Sequence, residues 1–229
     1  SYTKTSNLKS IKVKFEIIDL KKMKKIFPFI LLLFATCQKA PNSLTAYVNP
    51  FIGTGGHGHT YPGASAPFGM IQLSPDSRLE GWDGCAGYHY SDSIIYGFSH
   101  THLSGTGVSD YGDILLMPIT GKMYLNNGAD GKPGYSSKFS HKNEKAEAGY
   151  YNVLLEDHNV FVELTTSQRV GFHKYIFPEN EIAQVVLDLE HRDKLLDYKI
   201  ELLDSNTLQG IRYSDNWARE QQVHFYMKF

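Results

Sequence analysis

The segment spanning residues 47–121 is crowded with glycine, histidine, aromatic and small polar residues, and this mixture constrains the fold more than any other feature. Each glycine destabilises a helix by about 1 kcal/mol relative to alanine, so the segment is a poor helix former. Glycine instead permits tight turns and a close approach of the backbone to a neighbour or a ligand. The segment therefore indicates functional loops carried by a rigid scaffold.

The scaffold is predicted by the pattern that follows Gly149. Apolar runs with alternating polar positions or many β-branched residues are separated by turn residues, and no long segment shows helical periodicity. Short strands at this spacing predict an all-β fold, an antiparallel β-sandwich. The runs cover residues 151–155, 160–166, 170–177, 182–189, 199–203, 208–214 and 223–229.

Size, charge and cysteine content narrow the class of protein. The 229 residues are enough for one well-buried β-domain or two small ones. The 23 basic and 24 acidic side chains almost cancel, so the chain has no basic surface for nucleic acid, and we expect no nucleic-acid partner. Cys37 and Cys85 are the only cysteines and provide no disulfide framework, so burial of the core has to stabilise the fold.

Residues 23–37 have the order of a bacterial secretory signal: Met23 and two lysines, an apolar run over 26–35, and then Cys37. The run is shorter than the roughly 20 apolar residues of a membrane-spanning helix. A cysteine at this point resembles a lipoprotein processing site. We therefore expect Cys37 to be lipidated and to tether the protein to the bacterial cell envelope, as a periplasmic or outer-membrane lipoprotein. If Cys37 carries no lipid, we expect a secreted protein.

The remaining segments complete the predicted organisation. Residues 1–22 precede a plausible start methionine and are interpreted as an extension translated from a misplaced start, with a genuine basic extension as the alternative. Residues 38–46 are a polar linker. Residues 47–229 are the folded β-domain. Because no linker follows its last predicted strand, we expect this domain to be incomplete at its C-terminal end.

The loop segment contains three long motifs: PFIGTGGHGH at residues 50–59, GWDGCAGYHY at 81–90 and GFSHTHLSGTG at 97–107. Through these motifs the chain resembles the N-terminal β-domain of glycoside hydrolase family 92, the calcium-dependent exo-α-mannosidases. The resemblance runs from residue 47 to the end of the chain and is densest through Gly121. The family has a second, larger helical domain after the β-domain, and the chain ends before it.

The resemblance implies a β-sandwich of the super-sandwich type and an inverting exo-α-mannosidase that acts on α-mannoside glycans. In the family, calcium binds the sugar hydroxyls, and the general acid, the general base and most calcium ligands belong to the helical domain. We therefore assign no catalytic residue to this chain and expect it to be inactive alone. Its missing helical domain is its expected partner, and the β-domain is expected to supply one wall of the sugar cleft.

Trp82 is the strongest candidate for substrate contact. Large aromatic side chains exposed on loops usually mark a binding surface, although a tryptophan can also close over the core of a sandwich. The resemblance implies that Trp82 lines the subsite for the leaving-group sugar. The predicted substrate-binding residues are Trp82, Asp83, Gly84, Cys85, His89, His100 and His102.

The two H-x-H pairs, His57 with His59 and His100 with His102, have a spacing that suits zinc. A zinc site needs a third ligand that the sequence does not identify, so we assign no metal site; the alternative is hydrogen bonding within the loops or to a polar ligand. Several acidic residues lie among the motifs, and those such as Asp110 and Asp113, which flank a glycine, are interpreted as turn formers.

The same sequence features are compatible with a different class of function. A β-sandwich hosts many functions, so a stand-alone carbohydrate-binding surface lipoprotein is the alternative to an enzyme domain. A purely structural envelope protein is a third alternative, which the exposed glycine, histidine and tryptophan loops disfavour. The reading frame downstream of Phe229 distinguishes the first two, because a long helical segment with acidic motifs favours the enzyme.

Overall fold

The computed structural model describes residues 43–229, so the predicted signal peptide, Cys37 and the upstream extension lie outside the described residues. Within this part of the chain, no helix has the length and apolar character needed to cross a membrane. Its 3₁₀ helices are Leu44–Tyr47, Trp82–Gly84 and His141–Asn143. Its strands are β1 (Ala64–Ser65), β2 (Gln72–Asp76), β3 (Ile94–Ile95), β4 (Gly97–Ser99), β5 (Leu115–Ile119), β6 (Ser137–Lys138), β7 (Glu144–Glu147), β8 (Tyr150–Leu155), β9 (Val160–Thr166), β10 (Gly171–Ile176), β11 (Gln184–Asp188), β12 (Lys194–Asp204), β13 (Thr207–Asp215) and β14 (Gln221–Lys228).

Antiparallel pairing joins these strands into four sheets. A five-stranded sheet has the order β1-β2-β4-β5-β11, and a four-stranded sheet has the order β10-β9-β8-β7. A three-stranded sheet, β12-β13-β14, and a two-stranded sheet, β3-β6, complete the described fold. The prediction of an all-β, antiparallel fold is confirmed.

The core lies between the five-stranded and the four-stranded sheets, which therefore form the sandwich. Every side chain of its central cluster is at most 5% exposed. Burying a side chain such as valine or leucine contributes about 1.5–3 kcal/mol, so this cluster stabilises the described part of the chain, in which Cys85 is a free cysteine. The first sheet contributes Leu73, Phe98, Leu115, Met117, Ile119 and Val186, and the second contributes Tyr151, Val153, Leu155, Val160, Val162 and Leu164.

The strands that follow residue 149 match the sequence pattern closely. On β8 the buried side chains are Tyr151, Val153 and Leu155, because successive side chains of a strand point to opposite faces. β8 pairs with β9 so that Val153 lies opposite Val162, which places both apolar rows on the same face. All seven predicted strands occur, as β8–β14.

The prediction of loops over residues 47–121 is incomplete, because β1–β5 lie in this segment. β2 buries the polar side chains of Ser74 and Asp76, whose polarity hides the strand pattern. β5 is buried along its whole length, Leu115–Ile119, and a short continuous apolar run has no periodicity that identifies a strand. At the end of the predicted linker, Leu44–Tyr47 forms a 3₁₀ helix.

The three-stranded sheet is much more open than the sandwich. Most side chains of β12 and every second side chain of β14 are exposed. Exposed apolar surface of this kind often marks a contact with another domain or protein. The large exposed apolar residues of this sheet include Tyr198, Ile200, Leu202 and Tyr226.

Candidate functional site

The GWDG motif forms a surface loop that presents Trp82. Gly81 has a φ of 85°, a conformation that favours glycine, and turns the chain into the 3₁₀ helix Trp82–Gly84. Trp82 is 63% exposed. Its ring lies against Gly107, where a Cβ atom would come within 2.1 Å of the indole, and edge-on to His59 with a centroid distance of 5.1 Å. Gly107 and His59 therefore hold the indole in place while most of it faces solvent.

Asp83 lies beside Trp82 and accepts two hydrogen bonds on one carboxylate oxygen. Its Oδ1 atom is 2.7 Å from Nδ1 of His57 and 3.2 Å from Nε2 of His59. These hydrogen bonds, above all the one from His57, lower the pKa of Asp83, so the carboxylate is ionised at neutral pH. His59 has a positive φ of 52°, which is uncommon for a residue with a side chain and often marks a functional site. We call Trp82, Asp83, His57 and His59 the Trp82 surface.

The backbone behind the Trp82 surface is held by Arg192. Its Nη2 atom donates to the carbonyl oxygen of Gly84 at 2.7 Å and to Oγ of Ser109 at 2.7 Å. The Arg192 side chain is buried, and its backbone has a positive φ of 69°. One buried guanidinium thus joins the loop that carries Trp82 to the loop at residues 105–109 that covers it.

A buried carboxylate, Asp76, lies beside the same guanidinium. Its Oδ1 atom is 3.2 Å from Nε2 of His102, 3.5 Å from Nε2 of His191 and 3.6 Å from Nη1 of Arg192. Its Oδ2 atom accepts a hydrogen bond from Ser99. Burial alone would raise the pKa of Asp76, but His102 and His191 outweigh it and hold this pKa well below its usual range. We call Asp76, His102, His191 and Arg192 the Asp76 cluster.

A second buried ion pair ties β13 to the segment before β5. Nη1 of Arg212 is 2.6 Å from Oδ1 of Asp113 and 3.3 Å from Oδ2 of Asp193. Burial raises the pKa of Asp193 to about 6. The other oxygen of Asp113 accepts a hydrogen bond from Thr101 at 2.7 Å. The interpretation of Asp113 as a turn former therefore does not hold, because its carboxylate is fully buried as a partner of Arg212.

The structure separates the predicted contact residues of the GWDGC motif into two groups. Trp82 and Asp83 reach solvent, whereas Gly84 and Cys85 are buried beneath them. The Cys85 thiol donates to the carbonyl oxygen of Thr106, and burial raises its pKa. Trp82 and Asp83 can contact a ligand with their side chains, while Gly84 and Cys85 shape the loop below.

The three histidines predicted as further contacts are hydrogen-bonded within the protein. His102 is 7% exposed, and its Nδ1 atom is 2.8 Å from a backbone carbonyl oxygen while its Nε2 atom is 3.2 Å from Oδ1 of Asp76. Nδ1 of His100 donates to a backbone carbonyl at 2.6 Å. His89 is half-buried, with Nε2 at 3.1 Å from a backbone carbonyl. In this structure their ring nitrogens support the loops.

Two residues beside the site carried no functional prediction. Arg192 lies in the connection between β11 and β12, outside every motif, so the sequence offered no signal for it. Trp217 is 70% exposed in the turn between β13 and β14. The adjacent Asn216 donates to the carbonyl oxygen of Ser109 at 2.6 Å, next to the loop that covers Trp82. A tryptophan between two predicted strands was a signal that could have indicated this position.

The Trp82 surface does not fit the calcium ion that the family resemblance implies. Calcium takes roughly six to eight oxygen ligands. Among residues 43–229, the group of His, Cys, Asp and Glu side chains close enough to share a metal consists of His57, His59 and Asp83, and two of its three donor atoms are nitrogens. No step of chemistry is therefore assigned to calcium on these residues.

His100 also belongs to a chain of hydrogen bonds between neutral groups. The hydroxyl of Tyr175 lies 2.7 Å from Nδ1 of His173, and Nε2 of His173 lies 3.0 Å from Nε2 of His100. Because His100 donates from Nδ1 to a carbonyl, His173 has to donate to His100 and accept from Tyr175. Each ring then carries one proton, and burial lowers the pKa of both histidines.

We predict that the fold loses stability as the pH falls below about 6.5, the ordinary pKa of histidine. The folded pKa of His100 and His173 is lowered, so the neutral rings stabilise the fold above that pH, and this contribution is lost as the pH falls towards the folded pKa. His173→Gln keeps a donor and an acceptor but cannot be protonated. In urea unfolding, the wild type should lose up to about 1.4 kcal/mol per pH unit more than this variant.

His224→Gln changes an exposed histidine of β14 and is the matched control for this experiment. It should follow the wild type on acidification. Equal acid sensitivity of the wild type and His173→Gln would contradict the assignment of neutral rings.

Comparison with known proteins identifies the family. The sequence profile described as the Glycosyl hydrolase family 92 N-terminal domain matches residues 47–229. A protein of Arthroderma benhamiae, named as an uncharacterized secreted glycosidase, is 31% identical over 136 residues, which are 58% of this chain and 17% of that protein.

Solved structures share the same fold. The family GH92 α-mannosidase BT3965 of Bacteroides thetaiotaomicron, in complex with mannoimidazole, is 40% identical, with a TM-score of 0.78 over 81% of this chain and 25% of that chain. The family GH92 inverting mannosidase BT2199 of the same organism is 27% identical, with a TM-score of 0.69 over 83% of this chain and 25% of that chain.

The chain spans about a quarter or less of the length of these relatives. The family profile covers most of the chain, and its all-β fold carries the motif loops on one sandwich. The chain belongs to glycosyl hydrolase family 92, whose N-terminal domain it carries.

Proposed function

We propose that this chain is the N-terminal domain of an exo-acting, inverting α-mannosidase and that the Trp82 surface forms one wall of its sugar cleft. The observation that supports this most strongly is the exposed indole of Trp82 beside the ionised carboxylate of Asp83. The solved relatives with this fold are named as mannosidases, one of them in complex with mannoimidazole and one described as inverting.

The Trp82 surface has the side chains that a hexose needs. The indole offers a flat apolar face for the C–H face of a sugar ring, and such aromatic contacts contribute about 0.5–1.5 kcal/mol beyond area burial. The carboxylate of Asp83 can accept hydrogen bonds from sugar hydroxyls, and hydrogen bonds to a charged acceptor are stronger than neutral ones. We propose that the leaving-group sugar rests on the exposed face of Trp82.

We propose that this domain alone does not hydrolyse α-mannosides. Inversion needs an acid and a base carboxylate placed roughly 6.5–9.5 Å apart around the scissile bond. Asp76, Asp92 and Asp113 are each engaged by an arginine or a histidine of the same domain. The general acid, the general base and most of the calcium ligands are proposed to come from the helical domain of the full-length protein, as the family resemblance implies.

In the full-length enzyme, Trp82→Ala should lower kcat/KM for an α-linked mannose disaccharide by roughly five- to tenfold, because stacking worth about 1–1.5 kcal/mol is lost on the leaving sugar. The assay is the release of free mannose. Phe172→Ala is the matched control, since Phe172 is also an exposed aromatic residue, 54% exposed, but lies on β10. It should leave kcat/KM unchanged.

An unchanged kcat/KM in Trp82→Ala, or the same loss in both variants, would contradict the role of Trp82. A third result separates the two candidate functions. If the full-length protein binds α-mannosides through Trp82 but releases no mannose, the alternative of a carbohydrate-binding protein replaces that of an enzyme.

We also propose that the protein is exported and anchored to the bacterial cell envelope through a lipid on Cys37. The order of lysines, apolar run and cysteine in residues 23–37 supports this proposal. The similarity to a glycosidase named as secreted supports export.

Growth of the producing bacterium with a labelled fatty acid should label the wild-type protein but not Cys37→Ser. Cys85→Ser is the control, because it removes the buried cysteine and keeps Cys37, and it should be labelled like the wild type. Equal labelling of Cys37→Ser and the wild type would reject the anchor.

A further inference from the structure

Three side chains of the Trp82 surface bring their donor atoms together, although Asp83 is distant in sequence from the two histidines. Oδ1 of Asp83 is 2.7 Å from Nδ1 of His57 and 3.2 Å from Nε2 of His59. These donor atoms all lie within 4.8 Å of one another. The H-x-H pair therefore has the carboxylate partner that its spacing alone did not reveal, 24 residues after the second histidine.

We propose that His57, His59 and Asp83 form a binding site for a divalent transition metal ion, with Zn²⁺ as the favoured ion. Two imidazole nitrogens and one carboxylate oxygen are donors that zinc binds, and zinc sites open to substrate usually have three protein ligands and a water in the fourth position. The same set is poor for calcium, which prefers a shell of oxygen atoms. The ion proposed here is therefore different from the calcium that the family resemblance implies.

The distances between the donor atoms are close to those of a zinc site. With bonds of about 2.0–2.2 Å, neighbouring ligand atoms of a tetrahedral zinc ion are about 3.4 Å apart. The distances from Asp83 to His57 and His59, 2.7 and 3.2 Å, are shorter than this value, and all three donor atoms lie within 4.8 Å of one another, so the side chains have to move apart around a bound ion. Each neutral imidazole would coordinate through the nitrogen that faces Asp83, and the proton that this nitrogen donates to Asp83 in the metal-free protein would move to the opposite ring nitrogen.

The three side chains are held on one side and open on the other. The His59 side chain is 7% exposed and that of Asp83 30%, whereas that of His57 is 81% exposed. The ring of His59 packs edge-on against Trp82. Between the histidines, a Cβ atom at Gly58 would lie 2.0 Å from a backbone carbonyl oxygen, so this loop is tightly folded. A metal ion can thus enter from the side of His57 and meet two ligands that are already in place.

The test is a titration of the metal-free 229-residue chain with Zn²⁺ in competition with a chromophoric chelator. His57→Ala and Asp83→Asn should each weaken Zn²⁺ binding by at least about tenfold. His224→Ala removes an exposed histidine of β14 and should leave the affinity unchanged. Co²⁺ in place of Zn²⁺ should give the strong visible absorption of a tetrahedral site in the wild type and lose it in His57→Ala.

Equal Zn²⁺ affinity in the wild type and His57→Ala would overturn the proposal, as would the lack of wild-type binding at millimolar Zn²⁺. Because His57 is exposed, its replacement leaves the core intact, and circular dichroism verifies the fold of each variant. The zinc titration is made on the 229-residue chain alone, whereas mannose release is measured on the full-length enzyme. Failure of the zinc site and failure of the proposed mannosidase function are therefore distinguishable.

Discussion

The buried carboxylate of Asp76 is the interaction on which the functional loops of this domain depend. A carboxylate taken out of water costs several kcal/mol unless other groups replace the solvent. Here His102, His191 and Arg192 surround it. Arg192 connects this buried carboxylate to the surface loop, since the same guanidinium donates to the carbonyl oxygen of Gly84 in the GWDGC loop. The Asp76 cluster thus holds in one conformation two loops that are rich in glycine and would otherwise be flexible.

The fold was predictable from the sequence where burial is apolar and alternates along a strand. Val153 and Val162 belong to rows of this kind, and β8–β14 all occur where the pattern places them. β2 was missed because Ser74 and Asp76 are polar and yet buried. Asp76 is tolerated in the core only through side chains from elsewhere in the chain, and local periodicity carries no information about such partners.

In the candidate site, too, local features were predictable from the sequence and contacts between distant residues were not. The glycine-rich loop indicated Trp82, and the structure places this indole at the surface against Gly107. The carboxylate partner of His57 and His59 could not be predicted from the sequence, because the spacing of the two histidines does not indicate which other loop lies next to them. The role of Arg192 was hidden for a similar reason, since it is 108 residues from the carbonyl group that it binds.

Amide hydrogen exchange of the Arg192→Met chain tests most directly whether the Asp76 cluster holds the site. Exchange should become faster at residues 81–87 and 105–109 and stay unchanged in β8 and β9, because only the two loops lose their shared donor. Arg169→Met, at an exposed arginine, should change neither loop. Unchanged exchange in both loops of Arg192→Met, or a uniform increase over the whole domain, would contradict the account.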